Sequence, residues 1–374
     1  SYRKNKDDED ILVPINVQQC ISCGSIQLKH NTDPNVLFNE NYNYETSMGL
    51  EEHFKDYAIK VKEMFKDILL EGDLIIEVGG NTGMLCKHFK ELGFKVLNVE
   101  PSKNVAEKST EKGIDTLVKF FNQETAQEIF EKYGWAKLVV SNNCLAHIPD
   151  LKEIILGFKI LLDPNGLLVF ENAYALDTIK NNDIGQFYAE HYFYHSIKPL
   201  DQILKRNQIG LFHVERNNIQ CGSFRAYCIN GNIVRDPSLS SVDKLIQEEA
   251  YSKLYDGLKF FKRDVDIIGN RIVEELNKYK GEKIGIYGAP AKLALILKYF
   301  KLENYFDFTV EDSVLKIDKF IPGTNIQIKN RQYFLDNPPN IMLVGAYNFT
   351  DRIIENNKQY KGKWIIPFPE LKII

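Results

Sequence analysis

The segment Asp73-Leu-Ile-Ile-Glu-Val-Gly-Gly-Asn-Thr-Gly83 decides the fold of this chain. Its first half is a short apolar run, which predicts a buried strand, and the stretch from Met84 to Leu92 after the glycines has the spacing of a helix. A glycine-rich loop between a strand and a helix is where open α/β sheets bind ligands, because the backbone there can approach a ligand closely. The segment therefore predicts a ligand site at the carboxyl edge of a parallel sheet.

The alternation of strands and helices continues along most of the chain. Further strands are predicted at Lys95–Val99, Ala136–Ser141 and Leu167–Asn172. The runs Leu211–Ile219 and Ser223–Ile229 are expected to close the same sheet in the antiparallel direction. The pattern of strand, glycine loop and helix then restarts at Lys283-Ile-Gly-Ile-Tyr287. The predicted fold class is α/β, with a Rossmann-like domain followed by a second, smaller Rossmann-like domain.

The 374 residues divide into four predicted parts. They are an N-terminal module over residues 1–62, a first α/β domain over 63–235, a helical connector over 236–280 and a second α/β domain over 281–374. The connector is predicted from apolar residues at helical spacing between Leu245 and Leu276 in an otherwise polar stretch. The N-terminal module contains the pair Cys20 and Cys23 and shows no strong periodicity.

Composition argues against several classes of function. Lys and Arg number 47 against 51 Asp and Glu, so a net charge of -4 leaves no basic excess for binding nucleic acid. No apolar stretch approaches the ~18 residues needed to cross a bilayer, and the polar N-terminus does not resemble a secretory signal. We therefore expect a cytoplasmic protein with neither nucleic-acid nor membrane partners. Four cysteines lie in apolar segments and are expected to be buried thiols, namely Cys86, Cys144, Cys221 and Cys228.

Two acids flank the glycine-rich loop. Glu77 stands directly before it, where a carboxylate can pair with an ammonium group, and Glu100 ends the next strand, where a carboxylate can accept both hydrogen bonds of a ribose diol. A dinucleotide site would not place an acid at the end of the loop's own strand, so the pattern favours S-adenosylmethionine over NAD. The predicted cofactor contacts are Glu77, Gly79, Gly80, Asn81, Gly83, Glu100 and Asn142. Asn81 is included because asparagine tolerates a left-handed backbone.

Eight blocks of sequence carry a resemblance to a known family. In chain order they are Cys20-Ile-Ser-Cys-Gly24, Asn41-Tyr-Asn-Tyr-Glu-Thr-Ser47, Glu77 to Gly83, Asn142-Asn-Cys-Leu-Ala-His-Ile-Pro149, Tyr188-Ala-Glu-His191, Gly222-Ser-Phe-Arg225, Gly288-Ala-Pro-Ala-Lys292 and Ile321-Pro-Gly-Thr324. In these blocks the chain resembles the sugar C-methyltransferase family of deoxysugar biosynthesis, whose type member methylates C-3 of a nucleotide-linked 4-keto sugar. The resemblance implies a zinc-binding N-terminal module, a methyltransferase domain that uses S-adenosylmethionine and a second Rossmann-like domain, in that order.

The chain departs from the family in some of these blocks. The family's zinc is held by two cysteine pairs, whereas Cys20 and Cys23 supply only half of the four ligands of a tetrahedral structural zinc. Two alternatives stay open, namely a first pair upstream of Ser1 and a protein without zinc. Further departures lie at Ala189, Gln220, Cys221 and Leu293. They leave the reaction type unchanged and the identity of the sugar open.

Methylating a carbon beside a ketone requires an enolate, and therefore a base and a donor to the oxyanion. His191 is the predicted base, because an imidazole titrates near neutral pH, and the resemblance implies the same role. The neighbouring Glu190 is expected to orient His191 or to raise its basicity. Tyr188 and Tyr44 are the predicted donors to the ketone oxygen, and His147 is expected to point towards the transferred methyl group.

The second domain offers a place for the nucleotide. Gly288-Ala-Pro-Ala-Lys292 lies at a strand-to-helix junction, where backbone N–H groups and the helix dipole suit a diphosphate. Gly288, Ala289 and Lys292 are therefore predicted substrate contacts. Ser223 and Arg225 in the closing strands are further candidates, although strand alternation alone also explains them.

The predicted function is C-methylation, at C-3 or another carbon alpha to the ketone, of a nucleotide-linked 4-keto-deoxysugar by S-adenosylmethionine. A methyltransferase acting on a sugar hydroxyl or amine needs no enolate and is one alternative. A nicotinamide-dependent sugar oxidoreductase with two glycine loops is a second, against which Glu77 speaks. A binding protein with an inactive site is a third, disfavoured by the presence of Glu77, Glu100 and His191. The sequence does not indicate an oligomeric state.

Overall fold

The computed structural model describes residues 2–10, 13–38, 42, 45–46, 48–252 and 254–374. Its strands are β1 Val17–Gln19, β2 Ile26–Leu28, β3 Leu74–Val78, β4 Lys95–Val99, β5 Asp115–Leu117, β6 Ala136–Asn142, β7 Leu162–Ala173, β8 Phe193–Tyr194, β9 Ile209–Asn217, β10 Ser223–Asn230, β11 Ile284–Tyr287, β12 Phe308–Val310, β13 Gln327–Lys329, β14 Ile341–Val344, β15 Lys363–Ile366 and β16 Lys372–Ile373. Its α-helices are α1 Pro34–Leu37, α2 Glu51–Met64, α3 Met84–Glu91, α4 Lys103–Glu111, α5 Gln123–Tyr133, α6 Leu151–Leu161, α7 Ala175–Lys180, α8 Ile197–Arg206, α9 Ser241–Tyr251, α10 Leu254–Asn277, α11 Ala291–Tyr299, α12 Arg331–Asp336 and α13 Thr350–Asn356. Within these residues no helix combines the length and the apolar composition of a membrane span.

The first sheet has seven strands in the order β5-β4-β3-β6-β7-β10-β9. The five strands from β5 to β7 are parallel, and β10 runs antiparallel to both β7 and β9. Helices cover both faces, so the central strands are apolar throughout, and Leu138, Val139 and Val140 of β6 are fully buried. The predicted antiparallel closure of the sheet is confirmed.

The second sheet has the order β13-β12-β11-β14-β15-β16, in which only β16 is antiparallel. The sequence predicts strands in this domain at Lys283–Tyr287, Phe306–Glu311, Ile341–Val344 and Trp364–Ile366. They are confirmed as β11, β12, β14 and β15, and so is the α/β fold class with its second, smaller sheet. Sequence reasoning missed β5, β13 and β16, which have only three, three and two residues. Such runs are too short for an alternation of period two to be recognised.

The stretch predicted as one connector contains two helices that pack in different places. In α9, the Glu249 carboxylate accepts hydrogen bonds from the Tyr174 hydroxyl at 2.8 Å and from the backbone of Ile197, which ties this helix to the first sheet. The second half of α10 instead contributes Val265 and Ile272 to the core of the second sheet. The four-part division of the chain stays a prediction.

The N-terminal residues contact both halves of the protein. Strands β1 and β2 pair with each other, and β2 also pairs with β8, so they form a small sheet with the segment that follows the predicted base. Closer to the N-terminus, the Tyr2 hydroxyl donates to the carbonyl of Ala289, and Arg3 exchanges backbone hydrogen bonds with Phe320. The N-terminal segment thus fixes the block around His191 from one side.

A buried ion pair lies between β7 and β10. Glu171 is fully buried, and its Oε2 accepts hydrogen bonds from Arg225 Nε at 3.0 Å, from Arg225 Nη2 at 2.8 Å and from the Asn217 amide at 2.9 Å. The Arg225 guanidinium also stacks on the Tyr57 ring, 3.6 Å from its centroid. The other carboxylate oxygen, Oε1, lies 2.7 Å from His53 Nε2, so both oxygens of the buried Glu171 carboxylate have a partner, as burial requires.

Breaking this ion pair is expected to lower the free energy of unfolding of the protein. Replacing Arg225 with Met leaves the Glu171 carboxylate buried without its charge partner, which costs roughly 3–5 kcal/mol when a buried pair is broken. The free energy of unfolding is measured by urea titration. The matched control is Lys60→Met, because the Lys60–Glu215 pair is half-exposed and contributes less than about 1 kcal/mol. Equal losses in the two variants would contradict a special role for burial.

Candidate active site

The carboxyl edges of the two parallel sheets face one cavity of about 1100 Å³. The loop after β3 and the ends of β4 and β6 line it from one side, and the loops after β11, β12 and β14 line it from the other. Loops after parallel strands gather at one sheet edge, which is where open sheets bind ligands. The cavity is large enough for two small-molecule ligands side by side, since single-ligand pockets occupy about 300–1,000 Å³.

The glycine-rich loop has little room for side chains. Gly79 has a φ of 71°, and a Cβ there would overlap the sulfur of Cys144; a Cβ on Gly80 would overlap the Asn98 amide and Glu77. Asn81 adopts a φ of 51°, as its left-handed tolerance predicted. Gly79, Gly80 and Asn81 line the cavity. The structure does not support the predicted contact at Gly83, because Gly83 lies outside the cavity lining. It is instead the residue directly before α3, with a φ of 67°.

Glu77 lines the cavity from the end of β3 and is 3% exposed. Its Oε2 accepts the backbone N–H of Cys86 at 3.1 Å. Burial raises the pKa of its carboxyl to about 7. Asn142 lines the cavity beside Glu77, and its side-chain hydrogen bond to the Glu77 carboxyl acts against the larger effect of burial on that pKa. The two side chains place polar groups at the wall of the cavity, as in sites that orient a polar ligand.

Glu100 follows β4, and both of its carboxylate oxygens accept backbone hydrogen bonds. Oε2 accepts from Asn81 at 3.0 Å and Oε1 from Ser102 at 2.9 Å, which orients the carboxylate at the cavity wall. Each oxygen keeps a second lone pair for a ligand. Burial raises the pKa of this carboxyl as well. The predicted role of Glu100 as the acceptor for a ribose diol stays a prediction.

Thr46 brings the N-terminal segment onto this loop. Its backbone N–H donates to the Asn81 side-chain oxygen at 2.9 Å. Tyr42 lines the cavity nearby. Tyr44, a predicted donor to the ketone oxygen, lies outside the described residues, so its role stays a prediction.

Tyr188 and His191 form a hydrogen-bonded pair. The Tyr188 hydroxyl is 2.8 Å from His191 Nε2, and His191 Nδ1 is 2.9 Å from the backbone carbonyl of Gln186. A carbonyl oxygen only accepts, so Nδ1 carries the proton. Burial keeps the pKa of His191 well below its usual value, so the ring is neutral and Nε2 accepts from Tyr188.

The position of this pair corrects the expectation for His191. Tyr188 lines the large cavity, whereas His191 lines only a small chamber of about 60 Å³ behind it. Tyr188 borders both spaces and therefore lies between His191 and the large cavity. The imidazole reaches that cavity through the tyrosine hydroxyl.

His147 lines the large cavity, and its ring centroid is 4.7 Å from that of His191. The expectation that Glu190 pairs with His191 is wrong. The Glu190 carboxylate instead lies 4.0 Å from Nδ1 of His147. Burial lowers the pKa of His147 to about 4 and raises that of Glu190 to about 7. The imidazole is therefore neutral at neutral pH, and the contact is not an ion pair.

At the second sheet, Gly288 and Lys292 line the cavity but Ala289 does not. The backbone N–H groups of Gly288 and Ala289 donate to Val310 and to the Glu311 carboxylate, at 2.7 and 3.1 Å. These two amides are thus used within the protein, which corrects the expected diphosphate contact at Ala289. Pro290 precedes α11, and no side chain caps this helix. An anion would therefore meet the first turn of α11 rather than the loop before it.

Two other predicted contacts lie away from the cavity. The Ser223 hydroxyl donates to the carbonyl of Ile219 at 2.8 Å, and Arg225 is held by Glu171. Neither residue lines the cavity, so the expectation that they face the substrate is wrong. Among the expected buried thiols, Cys86 and Cys228 are buried, whereas Cys144 and Cys221 are half-buried.

Cys20 and Cys23 lie on one tight turn. Cys20 exchanges backbone hydrogen bonds with Gly24 and Ser25, and backbone N–H groups at the turn lower the pKa of the Cys20 thiol. Over the described part of the chain, no three His, Cys, Asp or Glu side chains gather as metal ligands. Two sulfurs do not complete a tetrahedral site, and the zinc expectation stays a prediction.

Sequence reasoning missed several residues at this cavity. Glu311 follows β12 and contacts the loop after β11, as Glu100 follows β4 and contacts the loop after β3. The sequence signal for Glu311 was its position directly after β12, which matches the position of Glu100 directly after β4. Gln186 also lines the cavity, and Asp183 and Tyr347 lie behind it; the three come together only through tertiary packing and had no sequence signal.

Comparisons with known proteins show what this chain is similar to. The model of a methyltransferase domain matches residues 50–211, and that of a C-methyltransferase C-terminal domain matches residues 218–369. The C-methyltransferase NovU of Streptomyces niveus is 28% identical over 98% of this chain and 88% of its own length.

Among solved structures, magnesium protoporphyrin IX methyltransferase from Synechocystis PCC 6803 is 15% identical, with 51% of this chain and 88% of that chain covered and a TM-score of 0.37. The plantazolicin methyltransferase BpumL is 10% identical, with 50% and 86% covered and a TM-score of 0.40. At these scores the two structures add nothing to the assignment. The sequence matches, which cover nearly the whole chain, remove the oxidoreductase alternative. The chain is a methyltransferase, and over nearly its whole length it is similar to a C-methyltransferase.

Proposed function

We propose that the protein transfers a methyl group from S-adenosylmethionine to a carbon alpha to the ketone, at C-3, of a nucleotide-linked 4-keto-deoxysugar. The observation that carries this proposal is the Tyr188–His191 pair, in which a neutral imidazole accepts from a hydroxyl at the cavity wall. A base at the cavity wall serves carbon methylation, because an α-proton must leave before a carbon can attack.

The loop after β3 is the proposed cofactor site. Glu77 pairs with the ammonium of the amino-acid moiety, Glu100 accepts from the ribose diol, and the Asn142 amide lies beside Glu77 at the same wall. Gly79 and Gly80 line the cavity, and because they carry no side chain the backbone there can approach a ligand closely. The cofactor supplies an electrophilic methyl group.

The proton path follows from the hydrogen bonds at His191. The Tyr188 oxygen takes the α-proton while its own proton passes to His191 Nε2, so that an enolate and an imidazolium form together. The Gln186 carbonyl, already bonded to Nδ1, stabilises the positive charge on the ring. His191 is thus the final proton acceptor, and Tyr188 is the group that touches the substrate. The enolate carbon would then form a bond to the methyl group as the bond from that methyl to the sulfonium sulfur breaks, which releases S-adenosylhomocysteine.

The second sheet is the proposed site of the nucleotide. Lys292 is near the start of α11, where its charge and the helix dipole both favour a diphosphate. Glu311 and Arg352 line the same wall. The sugar would then extend from this wall towards Tyr188, between the two sheets.

The pKa of Glu77 predicts a pH dependence of cofactor binding. An ammonium beside Glu77 favours the carboxylate, so binding lowers a carboxyl pKa that is about 7 in the free protein. Affinity is then full above pH 7 and falls as the pH drops through 7. For S-adenosylhomocysteine the dissociation constant should rise roughly 25-fold from pH 7.5 to pH 5.5. Titration calorimetry at several pH values measures it.

The control for this prediction is Glu77→Gln, which keeps the acceptor for the Cys86 N–H and removes the titrating group. Its affinity should be weaker at pH 7.5 and should vary little with pH. A wild-type affinity that does not change between pH 7.5 and pH 5.5 would refute the pairing of Glu77 with the ammonium.

The base is tested by exchange of the substrate's α-hydrogen with solvent deuterium. The reaction contains a nucleotide-linked 4-keto-deoxysugar and S-adenosylhomocysteine, so deprotonation is observed without methyl transfer. His191→Asn and Tyr188→Phe should each slow the exchange by about 10²- to 10⁴-fold, the usual contribution of a positioned base. His213→Asn is the matched control, since His213 is half-exposed on β9 and lies outside the cavity.

Mass spectrometry of the product from S-adenosylmethionine completes the test. A new methyl group on carbon, together with exchange by the wild type, is the expected result. If the wild type does not exchange and the methyl group appears on oxygen or nitrogen, C-methylation is wrong and the alternative of a hydroxyl or amine acceptor takes its place.

A further inference from the structure

A chain of buried hydrogen bonds connects the second sheet to His191. Tyr347, which follows β14, donates its hydroxyl to the Asp183 carboxylate across the boundary between the two sheets. Burial and the neighbouring Asp183 carboxylate hold the pKa of Tyr347 well above its usual value, so the hydroxyl stays protonated and acts as the donor. Asp183 and Tyr347 are 1% and 5% exposed, so water competes little for these bonds.

Asp183 in turn fixes the short helical turn that ends at Gln186. Its Oδ1 accepts the backbone N–H of Gly185, and its Oδ2 accepts the side-chain amide of Gln186, both at 3.2 Å. The same amide also donates to the carbonyl of Gln220 at 3.3 Å. Gln186 is therefore held through its side chain while its backbone carbonyl bonds to His191 Nδ1.

The packing at Gly185 shows how closely the second sheet approaches this turn. A Cβ at Gly185 would overlap the Tyr347 hydroxyl and lie 2.7 Å from a carbon of Lys292. Lys292 itself lies over the Tyr347 ring, with Nζ 3.6 Å from the centroid, and donates to the Asn348 side chain at 2.5 Å. The Cys221 thiol donates to the same Asn348 oxygen at 2.9 Å. The contact between the turn at Gly185 and the second sheet is therefore close and polar. Gly185, Lys292 and Asn348 also line the cavity.

We propose that Asp183 is a positioning residue through which Tyr347 of the second sheet sets the tautomer and orientation of His191. The bond from Nδ1 to the Gln186 carbonyl keeps the proton on Nδ1 and leaves Nε2 free to accept from Tyr188. Without the Tyr347 hydroxyl, Asp183 loses one anchor, the Gln186 carbonyl shifts and the imidazole samples the opposite tautomer, in which Nε2 cannot act as a base. The inference rests on the proposed function only in taking His191 as the proton acceptor.

The tautomer is measured without substrate. In protein labelled with ¹⁵N-histidine, long-range ¹H–¹⁵N correlation spectra distinguish a protonated Nδ1 from a protonated Nε2, and His191→Asn assigns the signal among the seven histidines. The wild type should show protonated Nδ1 for His191, and Tyr347→Phe should show a mixture of tautomers. Tyr360→Phe is the matched control, because its hydroxyl also donates to a single acceptor, the carbonyl of Pro339, outside this chain of bonds.

The second readout is the deuterium exchange of the substrate's α-hydrogen. Tyr347→Phe should slow it about 10- to 100-fold, the scale of a small misplacement of a catalytic group, while the affinity for S-adenosylhomocysteine stays at the wild-type value. Asp183→Asn should have at least as large an effect, since its amide would face the Gln186 amide as a second donor. Asn has nearly the same shape as Asp, so Asp183→Asn changes the hydrogen bonds of this side chain without changing the packing. It therefore tests these bonds even if Tyr347→Phe perturbs the packing.

The outcomes separate this inference from the proposed function. If the wild type exchanges and both variants keep its exchange rate and its His191 signals, the positioning role is wrong. If the wild type shows no exchange but the His191 signals change in Tyr347→Phe and not in Tyr360→Phe, the positioning is supported and the proposed function fails.

Discussion

The hydrogen bond from His191 Nδ1 to the Gln186 carbonyl is the interaction on which the arrangement of the site depends. It places the only imidazole proton away from the cavity and leaves a lone pair for the Tyr188 hydroxyl. Three separate parts of the chain hold the segment that contains it. Strand β2 pairs with β8 just after His191, Asp183 binds the turn before it, and Tyr347 binds Asp183 from the second sheet. The segment is short and has little regular structure, so these contacts supply the rigidity that a helix or sheet would otherwise provide.

Burial determines the charge state of most groups around the cavity. It raises the pKa of the Glu77 and Glu190 carboxyl groups to about 7 and lowers the pKa of the His147 imidazole to about 4, because a charge is costly to hold away from water. Glu171 is buried as deeply, but the Arg225 guanidinium compensates its charge. The protein therefore has a structural ion pair between β7 and β10, and at the sheet edge it has buried titratable groups whose charge no oppositely charged side chain among the described residues compensates. Groups whose pKa lies near neutral are suited to accept a ligand's charge or proton.

Much of the fold was readable from local pattern. The strands β3, β4, β6 and β11 are apolar runs next to glycine turns, and the acids Glu77 and Glu100 end their strands where the sequence placed them. The expected roles of Glu190 and of Arg225 were wrong for one reason. Adjacency along the chain does not set the direction of a side chain: Glu190 faces His147, and Arg225 faces its cross-strand neighbour Glu171. Both directions depend on strands and turns that are distant in sequence.

The sequence by itself determined the fold class, the resemblance to C-methyltransferases and the edge of the sheet that carries the glycine loop, because these follow from periodicity and from motifs that are contiguous in the chain. Only the tertiary structure decided that both sheets face one cavity and that Tyr188 lies between His191 and that cavity. It also decided that Tyr347 reaches Asp183, 164 positions earlier in the chain. Contacts over such separations arise when independently folded layers pack together, and no local preference of the residues encodes which side chains then meet.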